Sequence, residues 1–132
     1  GGWVWDEWVA ETVARHWSGL ECLSGIPGLV GAAPIQNIGA YGQEVAGLIR
    51  ACWVLEWKSG EEIRLTGEEC RFGYRDSRFK QDWKGRYLVT SVEFVLRPGR
   101  SRCAARWWRF AAPNRWSGTF RTRTIAARAR FL

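Results

Sequence analysis

Ile26-Pro27-Gly28-Leu29-Val30-Gly31-Ala32-Ala33-Pro34-Ile35-Gln36-Asn37-Ile38-Gly39-Ala40-Tyr41-Gly42 is the stretch on which the fold turns. It is too apolar for a free linker and too rich in Gly and Pro for a helix. Together with Gly19 and Gly25 upstream, it predicts an ordered loop with short extended pieces over residues 19–43. Upstream, Trp5, Trp8, Val9 and Val13 recur at i, i+3, i+4 and i+8. That spacing makes one apolar face of a helix over Trp5–His16, with acids in its first turn to suit the helix dipole. His16 reads as a helix-end residue rather than a ligand.

Downstream the period changes. Glu44–Glu56, rich in Val, Leu, Ile and Trp, predicts a strand. Lys58-Ser59-Gly60-Glu61 is a turn, and Glu62–Leu65 returns as the second arm of a hairpin. Thr66-Gly67-Glu68-Glu69 has the spacing of a capping box and predicts one helical turn through Cys70. Arg71–Lys80 is a polar, aromatic loop. In Tyr87–Leu96, Leu88, Val92, Phe94 and Leu96 alternate with Ser91 and Glu93, which predicts a half-buried strand. One helix, a long ordered loop and hairpin-connected strands make the chain α+β.

Composition narrows the class. The 132 residues are 46% apolar and 25% charged, ordinary for a globular domain. No run approaches the roughly 18 apolar residues of a membrane span. Four Cys and one His, without any C-x-x-C pair, argue against a metal site and suit a reducing cytoplasm. The chain starts Gly1-Gly2-Trp3 and contains no Met, so it is expected to be an interior piece of something longer.

The net charge of +7 is unevenly spread: residues 1–96 sum to −3, and residues 97–132 carry 10 Arg and no acid, for +10. Two readings of this tail stand. It is an arm for nucleic-acid phosphates with Trp107, Trp108 and Trp116 as stacking platforms. Alternatively it is GC-rich DNA translated out of frame, with no function. The abrupt change after Leu96 and the absence of Lys favour the second, so nucleic acid is not the expected partner.

Two stretches carry chemistry. In Ile26–Gly42 the small residues allow close approach of a ligand, and Gln36 and Asn37 supply amide donors and acceptors. The stretch is neither a Walker A loop nor G-x-G-x-x-G. In Cys70-Arg71-Phe72-Gly73-Tyr74-Arg75-Asp76-Ser77-Arg78-Phe79-Lys80, cations beside Tyr can hold a phosphate, a carboxylate or a developing oxyanion. The plainer readings are a buried connection with tight turns, and a solvated basic loop with Arg75 paired to Asp76.

The order of these residues adds more than their types. Gly19-Leu20-Glu21, Ile26-Pro27-Gly28, Gln36-Asn37-Ile38-Gly39-Ala40-Tyr41-Gly42 and Arg71-Phe72-Gly73-Tyr74-Arg75-Asp76-Ser77 stand in one register. In this the chain resembles the UDP-N-acetylenolpyruvoylglucosamine reductase (UDP-N-acetylmuramate dehydrogenase) family of bacterial peptidoglycan synthesis, over about residues 1–96. The resemblance implies a partial FAD-binding domain of the vanillyl-alcohol-oxidase (PCMH) type. It implies hydride delivery from NADPH through FAD to the enolpyruvyl double bond of a UDP-sugar, in a cytoplasmic monomer without a membrane partner.

By the same resemblance, Ile26, Pro27, Gly31, Ala32, Ala33, Gln36, Asn37, Gly39 and Tyr41 match the loop that wraps FAD. Arg75 matches the arginine that stabilises the enol intermediate, and Tyr74 and Lys80 are supports for the substrate. The family's other Gly-rich FAD loop, its proton-donating serine and its C-terminal glutamate have no counterpart here. Trp116-Ser117-Gly118-Thr119-Phe120 is the nearest look-alike to the serine motif, in the wrong order. The chain alone is therefore expected to be inactive, with 97–132 an Arg-rich tail outside the resemblance and the fold.

Overall fold

The structure, a computed structural model, describes residues 1–99 and the backbone of 125–129. A single helix, α1 (Trp5–Ala14), leads into a two-residue strand β1 (Trp17–Ser18). Residues 19–48 hold three 3-10 turns, Glu21–Leu23, Val30–Ala32 and Val45–Leu48, and a small hairpin of β2 (Gly39–Ala40) and β3 (Gln43–Glu44). The main strands β4 (Ile49–Glu56), β5 (Glu62–Thr66) and β6 (Tyr87–Pro98) follow, and β7 (Ile125–Ala129) closes the order. The sheet runs β1-β6-β4-β5, every pairing antiparallel, with β7 also on β6. The chain is α+β.

The helix begins as expected and ends at Ala14, two residues before the predicted end, where His16 turns to φ 56. Its buried face is Trp5, Trp8, Val9 and Thr12, the i, i+3, i+4, i+7 set, and Val13 is only half-buried. Thr12 takes the inner position because its hydroxyl donates back to Val9 O at 2.8 Å, so no polar group is left bare. Trp5 and Trp8 meet Phe94 of β6 with ring centroids 6.2 and 6.1 Å apart. Indole Nε1 of Trp5 donates to Leu23 O at 2.8 Å, which seats the first 3-10 turn under the helix. Burying these aromatics contributes roughly 1.5–3 kcal/mol per large side chain to the core.

The strand expected from Glu44 starts at Ile49, because Val45–Leu48 first makes a 3-10 turn. Asn37 fixes that turn by accepting a hydrogen bond from the Ala46 N–H. The β4–β5 hairpin and its turn follow the expectation, with Cys52 opposite Leu65 and Val54 opposite Ile63. The capping box is present in both directions: Thr66 N–H donates to Glu69 Oε2 at 2.7 Å, and Glu69 N–H to Thr66 Oγ1 at 3.2 Å. Cys70 N–H then donates to Thr66 O, which closes one helical turn.

Strand β6 departs from simple alternation. Trp53 lies opposite Ser91 and Val54 opposite Val89, so Thr90 is an extra residue, a β-bulge. A one-residue slip exchanges the faces of a strand. Val92, Phe94 and Leu96 point into the core as expected, but before the bulge Val89 is buried and Leu88 is 52% exposed. The expected place of Leu88 on the core face is thus corrected, and Ser91, expected outward, is buried.

Of the Arg-rich segment, Arg97 and Pro98 finish β6 against β1, and the backbone of Ile125–Ala129 pairs with Val92–Leu96. Trp107, Trp108, Trp116 and the Trp116–Phe120 look-alike lie outside the described residues. Among the described residues no helix is long and apolar enough to cross a membrane.

Candidate functional site

The two loops singled out by sequence converge on one side of the domain. The first is held at its start by the chain's own N-terminal strand-like run. Trp5 N–H donates to Gly28 O, Val30 N–H to Trp3 O and Gly31 N–H to Gly1 O, all at 2.7–2.9 Å. The Gly1 ammonium in turn donates to Thr90 O at the bulge. A Cβ on Gly31 would stand 3.0 Å from both Gly1 Cα and Val89 O, so this glycine serves a close approach of three backbone segments.

Asn37 ties the loop's far end. It is buried (1% exposed), with φ 45 in the left-handed region that Asn tolerates. Nδ2 donates to Glu44 Oε2 and to Gly73 O, each at 2.8 Å, and Oδ1 accepts from Ala46 N–H at 3.0 Å. Its amide hydrogen bonds run inward, so what Asn37 offers a ligand is the backbone shape it fixes. Ser77, also 1% exposed, adds a second tie by donating its hydroxyl to Ile35 O at 2.6 Å. Loops 26–42 and 71–80 are thereby one assembly.

On that frame Gly73-Tyr74-Arg75-Asp76 forms a tight turn, with Gly73 and Asp76 exchanging backbone hydrogen bonds at 2.9 and 3.2 Å. Arg75 takes φ 54 at its tip. Tyr74 is 83% exposed, and Arg75 and Lys80 are exposed beside it. Lys80 Nζ donates to Arg75 O at 3.1 Å, bracing the turn from below. The local pair expected between Arg75 and Asp76 is not made: Asp76 accepts from Gln81 Nε2 instead. Among the described residues the Arg75 guanidinium has no carboxylate partner, which leaves its planar fork available to an anion.

The remaining expected cofactor residues divide by exposure. Pro27, Ala32, Gln36 and Tyr41 are exposed, Ile26 is half-buried, and Gly31, Ala33, Asn37 and Gly39 are buried. Tyr41 (φ 51) and Gly42 (φ 76) make the turn of the β2–β3 hairpin, in the double positive-φ conformation that suits a two-residue connection. Sequence reasoning gave no role to Ser77, Glu44 or Gln43. Ser77 stood inside a quoted motif, but nothing in its type announced a contact 42 residues away. Gln43 Oε1 is buried without a hydrogen-bond partner among the described residues, an acceptor facing no donor.

Below the site, Arg78 and Asp82 pair at 2.5 Å, and the Arg78 guanidinium lies 4.0 Å over the Trp83 ring. Hydrogen bonding to Arg78 holds the Asp82 carboxyl below its usual range. Phe79, Trp83 and Tyr87 stack edge to face at 5.3 and 5.4 Å. This column anchors the C-terminal end of the loop on β6. Among the described residues no group of His, Cys, Asp and Glu could hold a metal ion.

Fold and site together define an α+β unit whose candidate chemistry is loop-borne, a Gly-rich wrap fastened to an arginine turn. No family model matches the chain. Among curated proteins it is 55% identical over 95 residues to UDP-N-acetylenolpyruvoylglucosamine reductase of Salinispora arenicola, covering 72% of this chain and 26% of that protein. The reductase of the same name from Alcanivorax borkumensis is 51% identical over 92 residues, with 70% and 26% covered. A solved structure, UDP-N-acetylenolpyruvylglucosamine reductase from Thermus caldophilus, superposes with a TM-score of 0.62 at 32% identity, over 73% of this chain and 34% of that one. Over the matched stretch the chain is similar to part of the UDP-N-acetylenolpyruvoylglucosamine reductases. It spans about a quarter of the length of the curated relatives it matches.

Proposed function

We propose that this segment supplies the FAD-wrapping loop and the enol-stabilising arginine of an NADPH-dependent reductase, acting in the cytoplasm on UDP-N-acetylglucosamine enolpyruvate. The whole enzyme would work as a monomer, with residues 1–96 part of a PCMH-type FAD domain. The observation that carries the reading is the pair of buried ties, Asn37 to Gly73 and Ser77 to Ile35, that fasten the two motifs into one frame.

The residues fit a flavin nucleotide in two respects. The rim of the first loop is small and open: a Cβ at Gly28 or Gly42 would meet nothing within 4 Å. The orphaned Gln43 Oε1 is an acceptor for a ligand N–H or O–H. Ile26, Pro27, Gly31, Ala32, Ala33, Gln36, Asn37, Gly39 and Tyr41 would hold the group, the buried ones by setting backbone shape. When bound, FAD supplies the hydride that it has taken from NADPH.

The chain's own part concerns charge. As the enolpyruvyl double bond is reduced, negative charge builds on an oxygen of the substrate carboxylate. The Arg75 guanidinium, carried on the Gly73–Asp76 turn and without a carboxylate partner among the described residues, stabilises that charge. Lys80 and Tyr74 flank it, Lys80 by holding the Arg75 carbonyl and Tyr74 through its exposed phenol.

The test is a hybrid enzyme. Residues 1–96 replace the matching stretch of a full-length relative, and bound flavin and NADPH consumption with the UDP-sugar are measured. A folded hybrid that copurifies without FAD, or that binds FAD and reduces nothing, contradicts the proposal.

A further inference from the structure

The acids on and around the arginine turn are held by donors other than Arg75. Asp76, next to Arg75 in sequence, accepts a hydrogen bond from the Gln81 side-chain amide. Asp82 is taken by Arg78, through two guanidinium nitrogens. Glu44 accepts from Asn37 Nδ2, the nitrogen that also holds Gly73 O. Among the described residues Arg75 is left without a carboxylate partner, and Lys80 Nζ donates to the Arg75 carbonyl. Of these three acids only Asp76 adjoins Arg75 along the chain, and its holder, Gln81, is exposed and has no part in the chemistry proposed above.

We propose that Gln81 is a positioning residue for Arg75: by holding the Asp76 carboxylate, it keeps the neighbouring guanidinium open to the charge that develops on the substrate. The proposal rests on the reading of Arg75 given above and adds a residue to it. An exposed ion pair between flexible side chains is weak. A hydrogen bond from a neutral amide to a carboxylate is charge-assisted and of comparable strength, so one well-placed amide tips the balance. An amide suits the task because it donates to Asp76 without adding a charge beside Arg75.

The buried part of the loop places Gln81 for this role. Its backbone N–H donates to Ser77 O at 3.3 Å and to Arg78 O at 3.2 Å. Ser77 is the residue whose hydroxyl ties the loop to Ile35. On the far side Lys84 N–H donates to Gln81 O at 3.1 Å. The backbone of Asp76 is held separately, by its exchange of hydrogen bonds with Gly73. The turn thus keeps its backbone hydrogen bonds whichever partner the Asp76 carboxylate takes. What differs between the two arrangements is whether Arg75 is available.

The experiment reads turnover in the hybrid enzyme and side-chain hydrogen exchange, by nuclear magnetic resonance, in the full chain. In the hybrid, Gln81→Leu should lower kcat about two- to fivefold, the scale of one exposed ion pair. The same change made on top of Asp76→Asn should have no effect, because the competing charge is gone. A merely structural role of Gln81 would give the same loss in both backgrounds. In the full chain, exchange of the Arg75 Nε–H, assigned by its loss in Arg75→Lys, should slow by a similar factor in Gln81→Leu and recover in Gln81→Leu/Asp76→Asn. A loss of turnover that persists in the Asp76→Asn background, or exchange unaltered by Gln81→Leu, overturns the proposal while Arg75→Ala still tests the reading beneath it. If Arg75→Ala leaves kcat unchanged although exchange responds as stated, the reading of Arg75 fails and the proposal falls with it, but the hold of Gln81 on Asp76 stands.

Discussion

The carboxamide of Asn37 donates to the backbone oxygen of Gly73 at 2.8 Å, from inside the protein and across 36 residues of sequence. The same nitrogen reaches the Glu44 carboxylate, and the amide oxygen holds the turn before β4. One buried side chain therefore sets the relation between the Gly-rich loop, the β4 entry and the arginine turn. Asn is suited to it by having donors and an acceptor in one plane.

Asn37→Ala should lower stability on the order of 3 kcal/mol, because several buried groups lose their partner at once. Asn37→Gly keeps the φ 45 backbone easy and should cost somewhat less, so the difference between the two isolates the backbone strain. Asn37→Asp should be no better than Ala at neutral pH, since it sets a carboxylate against Glu44. Urea unfolding measures all three, and faster amide exchange at Asp76 in each would show the arginine turn loosened.

Much of this architecture was legible beforehand. The α1 spacing, the β4–β5 hairpin and the reciprocal Thr66–Glu69 cap follow from local rules, and the structure has each of them. The faces of Leu88 and Ser91 did not, because a one-residue bulge at Thr90 has no local signature in Val89-Thr90-Ser91. Nor did the inward turn of Asn37, or Ser77 as a tie. Such roles depend on which backbone groups a distant loop brings near, and spacing along the chain does not contain that. Exposure of Tyr74, Arg75 and Lys80, by contrast, agrees with residue type alone.

The bulge makes neighbouring residues behave oppositely. Val89→Ala should cost about 2 kcal/mol, the transfer of a buried side chain's methyls plus a small cavity. Leu88→Ala, at a position 52% exposed, should stay within about 0.5 kcal/mol. Equal losses at both positions in a urea titration would mean that β6 alternates without a bulge.

Two glycines near the site should separate in the same way. A Cβ at Gly39 would lie 2.6 Å from Gln43 O and 2.9 Å from Glu44 Cγ, atoms of the paired strand. Gly39→Ala is expected to destabilise by about 1–3 kcal/mol, as overpacking does. Gly47→Ala meets nothing within 4 Å and has no positive φ, so its melting temperature should match wild type within error.

Acid should weaken the capping turn. The Glu69 carboxyl is held below its usual range, first by the Thr66 backbone N–H and then by its hydroxyl. A carboxyl with a lowered folded value contributes stability above its unfolded value, roughly 4.3, and loses it as pH falls through the folded value. Glu69→Gln should remove that part of the pH dependence and leave the curves closer together at low pH than at pH 7. Urea midpoints of the two proteins across pH 2–7 give the comparison, and a gap that widens on acidification would contradict it.

The most direct test of the central claim is turnover in the hybrid enzyme with Arg75 changed. Arg75→Ala should retain FAD yet lower kcat by about 10²–10³-fold, the effect of losing one donor to a developing oxyanion. Arg75→Lys should recover little, because a point charge does not reproduce the planar fork. Near-unchanged kcat in both variants, with flavin bound, would contradict the assignment of this loop as the one that stabilises the reacting enol.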